Sequence, residues 1–229
     1  MANRFDNFFR NPTNRRYVRI AAFVVLGMSI GALVTNIVLF PQRYLPDHVN
    51  VTPIKEEPLG AHAYTLPRSE PVELSIPKIH LDTTFVPPLG LQDNGEPEVP
   101  NDYTQVGWYK YSPTPGELGP SIIFGHVDSY QGAAVFYLIG QLERGDPIYV
   151  TRADGSVATF RVTGIGRYEQ SKFPTDLVYG DINHAGLRLV TCSGTYNHET
   201  LRYDHNTVVY ASLEKATTTL DSTATSASK

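Results

Sequence analysis

A chain of 229 residues with 41% hydrophobic composition has room for one sizeable globular domain with appendages and too little for two. Its formal charge of -4 is unevenly spread: Arg4, Arg10, Arg15, Arg16 and Arg19 face only Asp6 ahead of an apolar run, and the acidic remainder has no basic stripe with interleaved aromatics, which argues against nucleic acid as a partner. The single cysteine, Cys192, excludes an internal disulfide and a multi-cysteine metal site, and leaves either inert packing or a working thiol.

Residues 20–40 carry no charge and are numerous enough, at about 1.5 Å per helical residue, to cross a hydrocarbon core about 30 Å thick. They are expected to form a transmembrane helix. A cleaved signal peptide fits less well, because the run is long for that purpose and no small-x-small site follows Phe40. Arginines stand before the run and few cations follow it closely, so residues 1–19 are expected in the cytoplasm and the rest of the chain outside the cell. Residues 41–71, with repeated prolines and no sustained period, read as an extracellular linker.

From 72 to 213 short apolar alternations are separated by turn signals, the pattern of a mainly β barrel or sandwich. Strands are expected over 72–76, 121–124, 147–151, 159–165, 187–192 and 207–213. Asp93-Asn94-Gly95, Arg144-Gly145-Asp146 and Ala153-Asp154-Gly155 read as turns, the last joining a hairpin. Val135, Phe136, Leu138, Ile139 and Leu142 mix helical spacings, so a helical turn is expected around 133–142. Residues 214–229, nearly all Thr, Ser and Ala, read as a disordered tail.

Two segments end in reactive side chains. Arg188, Val190 and Cys192 share one face of the 187–192 strand, and Cys192 ends it, followed by the small polar Ser193-Gly194-Thr195. Ser121-Ile122-Ile123-Phe124-Gly125-His126 has the same design, an apolar strand ending in glycine and an imidazole. A thiol needs a base or cationic neighbour to become a thiolate, and histidine supplies either at neutral pH. Among the other histidines, position alone leaves His198 and His205 open. Acyl transfer also calls for a donor to the developing oxyanion. Arg202, the only arginine after the cysteine, is the first candidate and Arg188 a rival; a surface ion pair with Asp204 or Glu199 is the bland alternative for Arg202.

Leu189-Val190-Thr191-Cys192 resembles the leucine-x-threonine-cysteine signature of sortases, and Gly125-His126-Val127-Asp128-Ser129 resembles their histidine segment. Val106-Gly107-Trp108-Tyr109, Ala134-Val135-Phe136-Tyr137, Phe173-Pro174-Thr175 and Asn206-Thr207-Val208-Val209-Tyr210-Ala211 are similar to stretches of the actinobacterial class F type, in the same order. The resemblance implies a closed eight-stranded β-barrel with short helices. It implies that Cys192 attacks the carbonyl after threonine in a Leu-Pro-x-Thr-Gly-like sorting signal, that His126 moves the protons, and that Arg202 steadies oxyanion or peptide. Thr191, Ser193 and Asn206, around the thiol, are expected to contact the peptide. The amine acceptor implied is a lipid-linked wall precursor or a pilin-like protein, and no cofactor or metal is expected. In relatives the arginine commonly stands where this chain has Asp204 and Asn206, and two glycines often follow the cysteine where this chain has Ser193-Gly194.

Two other readings compete. One is a catalytically idle membrane-tethered β-domain that binds wall polymer or protein. The other is an L,D-transpeptidase, whose usual serine-histidine-glycine-cysteine cluster is absent here.

Overall fold

The computed structural model describes residues 51–54 and 64–218, all within the unit Asp47–Lys229. The expected transmembrane run at 20–40 lies outside the described residues, as do 1–19 and most of the linker. Among the described residues no helix is long and apolar enough to cross a membrane.

Ten strands follow in chain order: β1 (Pro71–Ile76), β2 (Leu81–Thr84), β3 (Gly107–Trp108), β4 (Gly119–Phe124), β5 (Asp128–Ser129), β6 (Gly132–Ala133), β7 (Pro147–Arg152), β8 (Ser156–Glu169), β9 (Ala185–Asn197) and β10 (Arg202–Thr218). One short helix, α1 (Thr175–Tyr179), precedes β9. Eight strands form one curled sheet in the order β2-β1-β7-β8-β10-β9-β4-β3, and β5 and β6 form a small hairpin apart from it.

The expectation of a closed barrel is corrected by the sheet's ends. β2 and β3 share no ladder; the chain after β2 makes only isolated bridges toward β3, at Phe85–Val106 and Leu89–Tyr109. The sheet is therefore a curled half-barrel. Its curl follows from two long strands, β8 and β10, whose pairing is interrupted by register shifts at Tyr210/Ala211 and Leu213/Lys215 that bend and twist them.

Alternation along these strands buries both faces, which is why β4 is buried at every residue. The inner face collects Leu74, Ile76, Ile123, Ile148, Val150, Phe160, Leu187, Leu189, Val209 and Ala211 with Phe136 and Leu142 from the β6–β7 connection. The outer face carries Ile122, Phe124, Val190, Val208 and Tyr210, covered by Val178 of α1 with Phe173 and Tyr179.

Several local expectations are met for the stated reason. Gly95, Gly145 and Gly155 all take positive φ, at 81°, 93° and 80°, and the third joins the β7–β8 hairpin. The helical turn shortens to a 3-10 turn at Ile139–Gln141. Two strands outrun their predicted limits. β9 continues past Cys192 to Asn197, and β10 continues to Thr218, so residues 214–218 are strand rather than tail. That extension is paired throughout, from Lys215↔Thr159 to Thr218↔Ser156.

Phe136 is fully buried and lies so close to Gly125 that a Cβ there would fall 2.6 Å from its ring. Phe136→Ala is expected to destabilise the domain by about 3–5 kcal/mol, measured as a lowered urea midpoint with unchanged slope. Because the cavity opens directly beneath the residue preceding His126, activity should fall along with stability.

Candidate active site

β4 and β9 run parallel, with Ser121↔Leu187, Ile122↔Arg188, Ile123↔Leu189 and Phe124↔Val190 in register. One further backbone bond, Gly125 N–H to Val190 O at 3.3 Å, carries the pairing past the ladder. Extending the register by two residues sets His126 beside Cys192 on neighbouring chains spaced about 4.8 Å apart. By alternation both side chains fall on the outer face, above Phe124 and Val190. The convergence of two strand ends expected from sequence is thus produced by a parallel pairing that ends just below both residues. Cys192 lies within β9, not at its end as expected; it stands at the end only of the part that β4 covers.

His126 is fixed from two sides. Its Nε2 lies 2.7 Å from the carbonyl oxygen of Pro100, and its ring meets that of Tyr103 at 4.6 Å between centroids. A carbonyl can only accept, so Nε2 carries a hydrogen and donates it. Nδ1 is then the nitrogen left to take up or release a proton. Gly125 is what allows this placement, since any side chain there would strike Phe136.

Cys192 is free and exposed. Its thiol is nonetheless pushed above the ordinary cysteine range, first by desolvation from the protein around it and second by the negative charge of Asp128, with Arg202 acting in the opposite sense. The thiol therefore stays protonated at neutral pH and needs a partner to take its proton. Asp128 is itself held by the hydroxyl of Tyr203, which donates to its Oδ2 and ties the β5–β6 hairpin to β10. Burial, and after it the bond to Asp128, raises the Tyr203 phenol, so it remains a donor at every pH of interest.

Asp128→Asn keeps an acceptor for Tyr203 and removes the charge. With one of the two causes of the raised pKa gone, the thiol ionises at lower pH. Alkylation of Cys192 by iodoacetamide at pH 7 should become several-fold faster, and its pH profile should move to lower pH; an unmoved profile would show that Asp128 does not act on the thiol.

Arg202 begins β10 and makes a two-pronged ion pair with Glu96, at 3.0 and 3.1 Å. The bland reading of an exposed ion pair thus holds, with a different partner from either expected acid. Its charge still reaches Cys192. Arg188, the rival, is fully buried with its guanidinium 4.6 Å from the Tyr210 ring centroid, beneath the covered outer cluster and four residues before the thiol along β9.

Asp204, one of the two residues standing where the resemblance puts the relatives' arginine, accepts from the Thr195 backbone at 2.7 Å and pairs with His205 Nδ1 at 2.7 Å. These bonds, led by that to His205, lower its pKa. They brace a bulge where the β9–β10 register shifts between Tyr203 and His205. Gly194 occupies the bulge with φ 88°, and a Cβ there would fall 2.0 Å from Asp204 Oδ1. Ser193-Gly194 is therefore an adequate substitute for two glycines, because the second position is the one that needs glycine.

The expected peptide contacts divide. Asn206 pairs directly with Cys192 across the ladder and shares its face. Thr191 and Ser193 are buried and alternate to the opposite face, so their side chains are turned away from the thiol and only their backbone is left to meet a peptide there. Sequence reasoning gave no role to Asp128, Tyr203, Tyr103, Pro100 or Glu96. Asp128 was within reach, because it lies two residues beyond His126, and so was Tyr203, which follows Arg202; Glu96, Pro100 and Tyr103 come from a separate, earlier segment.

Among the described residues no group of three or more His, Cys, Asp or Glu is placed to hold a metal ion.

A family model described as "Sortase domain" matches residues 74–214. No curated protein matches the chain. Solved structures similar to it include sortase A from Corynebacterium diphtheriae, a lid mutant, with 21% identity over 69% of this chain and 76% of that one at a TM-score of 0.49. Sortase E1 from Streptomyces coelicolor, with a tripeptide in its active site, gives 17% identity over 66% and 92% at 0.49. A sortase from Actinomyces oris gives 20% over 75% and 91% at 0.47.

Proposed function

The chain belongs to the sortase family, whose members are generally cysteine transpeptidases that process sorting signals, and from that premise we propose that it is a membrane-tethered enzyme of this kind, of the actinobacterial class F type. The observation that carries the reading is the parallel pairing of β4 with β9 up to Phe124↔Val190, whose register, continued by two residues, sets His126 and Cys192 on one face. Segment-by-segment likeness from Val106 to Ala211 supports the class. The uncharged run at 20–40 and the arginines before it support a single membrane span with the catalytic domain outside the cell.

In this reading the donor is a Leu-Pro-x-Thr-Gly-like signal lying along the outer face. His126 Nδ1 takes the Cys192 proton, and the thiolate sulfur attacks the threonine carbonyl carbon. The tetrahedral oxyanion is met by Arg202, once it leaves Glu96. The C–N bond then breaks, His126 protonates the departing glycine amine, and a Cys192 thioester remains. An incoming amine from a lipid-linked wall precursor or pilin-like protein attacks the thioester, gives its proton to His126 and releases the thiolate. Asn206, beside Cys192, is positioned to bond the peptide backbone.

The test is incubation of the protein with a panel of such peptides and an amine such as triglycine, with products separated by chromatography. A new threonine-to-amine peptide is expected. A folded protein that forms no such product across the panel would favour the idle binding domain.

A further inference from the structure

The catalytic cycle gives Asp128 no task, although the residue stands beside both reacting groups. It begins the β5–β6 hairpin two residues beyond His126, and the hairpin is held there by Ala134 N–H to Val127 O at 3.0 Å and Phe136 N–H to His126 O at 2.9 Å. Its Oδ2 accepts from the Tyr203 hydroxyl, while its Oδ1 has no hydrogen-bond partner among the described residues. Aromatic rings stand on both sides. On one, Tyr103 meets His126 at 4.6 Å and Tyr130 at 6.4 Å between centroids; on the other, Tyr203 meets Tyr196 at 5.1 Å. Tyr103, Tyr130 and Tyr196 are exposed, so these rings border solvent rather than core.

The sign of the charge says which reactant such a carboxylate suits. After desolvation, the charge of Asp128 is the second cause that opposes ionisation of the Cys192 thiol, and the same charge repels a tetrahedral oxyanion. It therefore works against every step in which the site becomes negative, and only a cationic reactant gains from it. In the proposed exchange the cationic reactants are the departing and the incoming amines, which occupy the same position in turn and are largely ammonium ions in water at pH 7. A carboxylate flanked by aromatic rings suits an ammonium group in two ways, by a charge-assisted hydrogen bond and by attraction to the ring faces. The nearby guanidinium is engaged elsewhere, because Arg202 pairs with both carboxylate oxygens of Glu96.

We propose that Asp128 recognises the acceptor: its Oδ1 accepts an N–H of the incoming ammonium and holds the amine beside the Cys192 thioester, which makes the site selective for cationic primary amines over neutral nucleophiles. As the amine leaves the carboxylate it gives one proton to water. Its lone pair then attacks the thioester carbon, the C–S bond breaks to release the thiolate, and His126 Nδ1 takes the second proton as the amide forms. The inference rests on the proposed function for the thioester that the amine attacks.

Asp128→Asn is the selective probe, because its amide oxygen still accepts from Tyr203 while the charge is gone. The thioester is formed on the full-length chain in detergent with a Leu-Pro-x-Thr-Gly-like peptide, and its consumption is followed at pH 7 against rising glycinamide, largely cationic, or hydroxylamine, largely neutral. Effects of the substitution on the thiol as a leaving group cancel in the ratio of the two nucleophiles. The ratio of kcat/KM for glycinamide to that for hydroxylamine is expected to fall about tenfold in the variant, the size of one charge-assisted hydrogen bond, through a higher glycinamide KM. An unchanged ratio, whether or not both rates move together, would overturn the inference and leave Asp128 as a tie for the hairpin. The two failures are separable: a thioester in both proteins with the same ratio removes the acceptor site alone, whereas no thioester in either removes the proposed function and the acceptor site with it.

Discussion

Cys192→Ala loses peptide cleavage and amine transfer together, with a fall of at least about 10⁴-fold in kcat/KM, as expected when a covalent nucleophile is removed from a group that acts as a unit. The cost to folding is small by comparison, because the side chain is exposed and its thiol has no structural partner among the described residues. A melting temperature close to that of the parent protein would accompany the loss. This pairing separates the working thiol from the inert one: an inert cysteine would leave any measured activity in place. Cleavage that survives at a substantial fraction of the parental rate would move the chemistry to another residue.

His126→Ala is the second large effect, about 10²–10⁴-fold on kcat/KM, the usual range for a positioned acid and base. Two features of the site demand a proton carrier here. Desolvation by the protein around it and the charge of Asp128 favour the protonated thiol, so its proton must be taken for attack to occur. The same proton is then needed by the leaving amine. With Nε2 committed to Pro100, both transfers pass through Nδ1. The variant should therefore retain slow thioester formation that rises steeply with pH, as bulk ionisation of Cys192 replaces transfer to the imidazole. A pH profile identical to that of the parent, at reduced amplitude only, would make His126 a positioning residue.

The placement of Cys192 and His126 on one face was readable in the sequence because it depends on local patterns. Each ends an apolar run with the right parity, and Gly125 and Gly194 mark the two points where the backbone needs room. That the runs pair in parallel was not readable, yet parity alone sufficed to put both side chains on one face. Arg202 was different. Its place after the cysteine singled it out, but its partner Glu96 is brought to it by a loop 106 residues earlier, and no local pattern announces such a pairing. The buried placement of Thr191 and Ser193 was implicit in the same alternation that put Leu187 and Leu189 in the core.

The sheet's limits escaped for a related reason. Closure depends on whether β2 and β3 find each other, which is decided by the long connection between them rather than by either strand. β10 reached Thr218 because residues 215–218 find pairing groups on Ser156–Thr159, so a segment too polar to fold alone is ordered by the strand beside it. Residues 51–54 were read within the linker; their bridge to Ile165 and their close approach to Gly164 are visible only when the fold places them together.

The central claim is that Cys192 forms a thioester with the threonine of a sorting signal. Its most direct test is the intact mass of the acid-quenched protein after brief exposure to a Leu-Pro-x-Thr-Gly peptide without an amine acceptor. The expected result is an added mass equal to the peptide through threonine as an acyl group, located on Cys192 by fragmentation and absent from Cys192→Ala. An unchanged mass across a broad peptide panel, with the protein folded and Cys192 still open to alkylation, would contradict it.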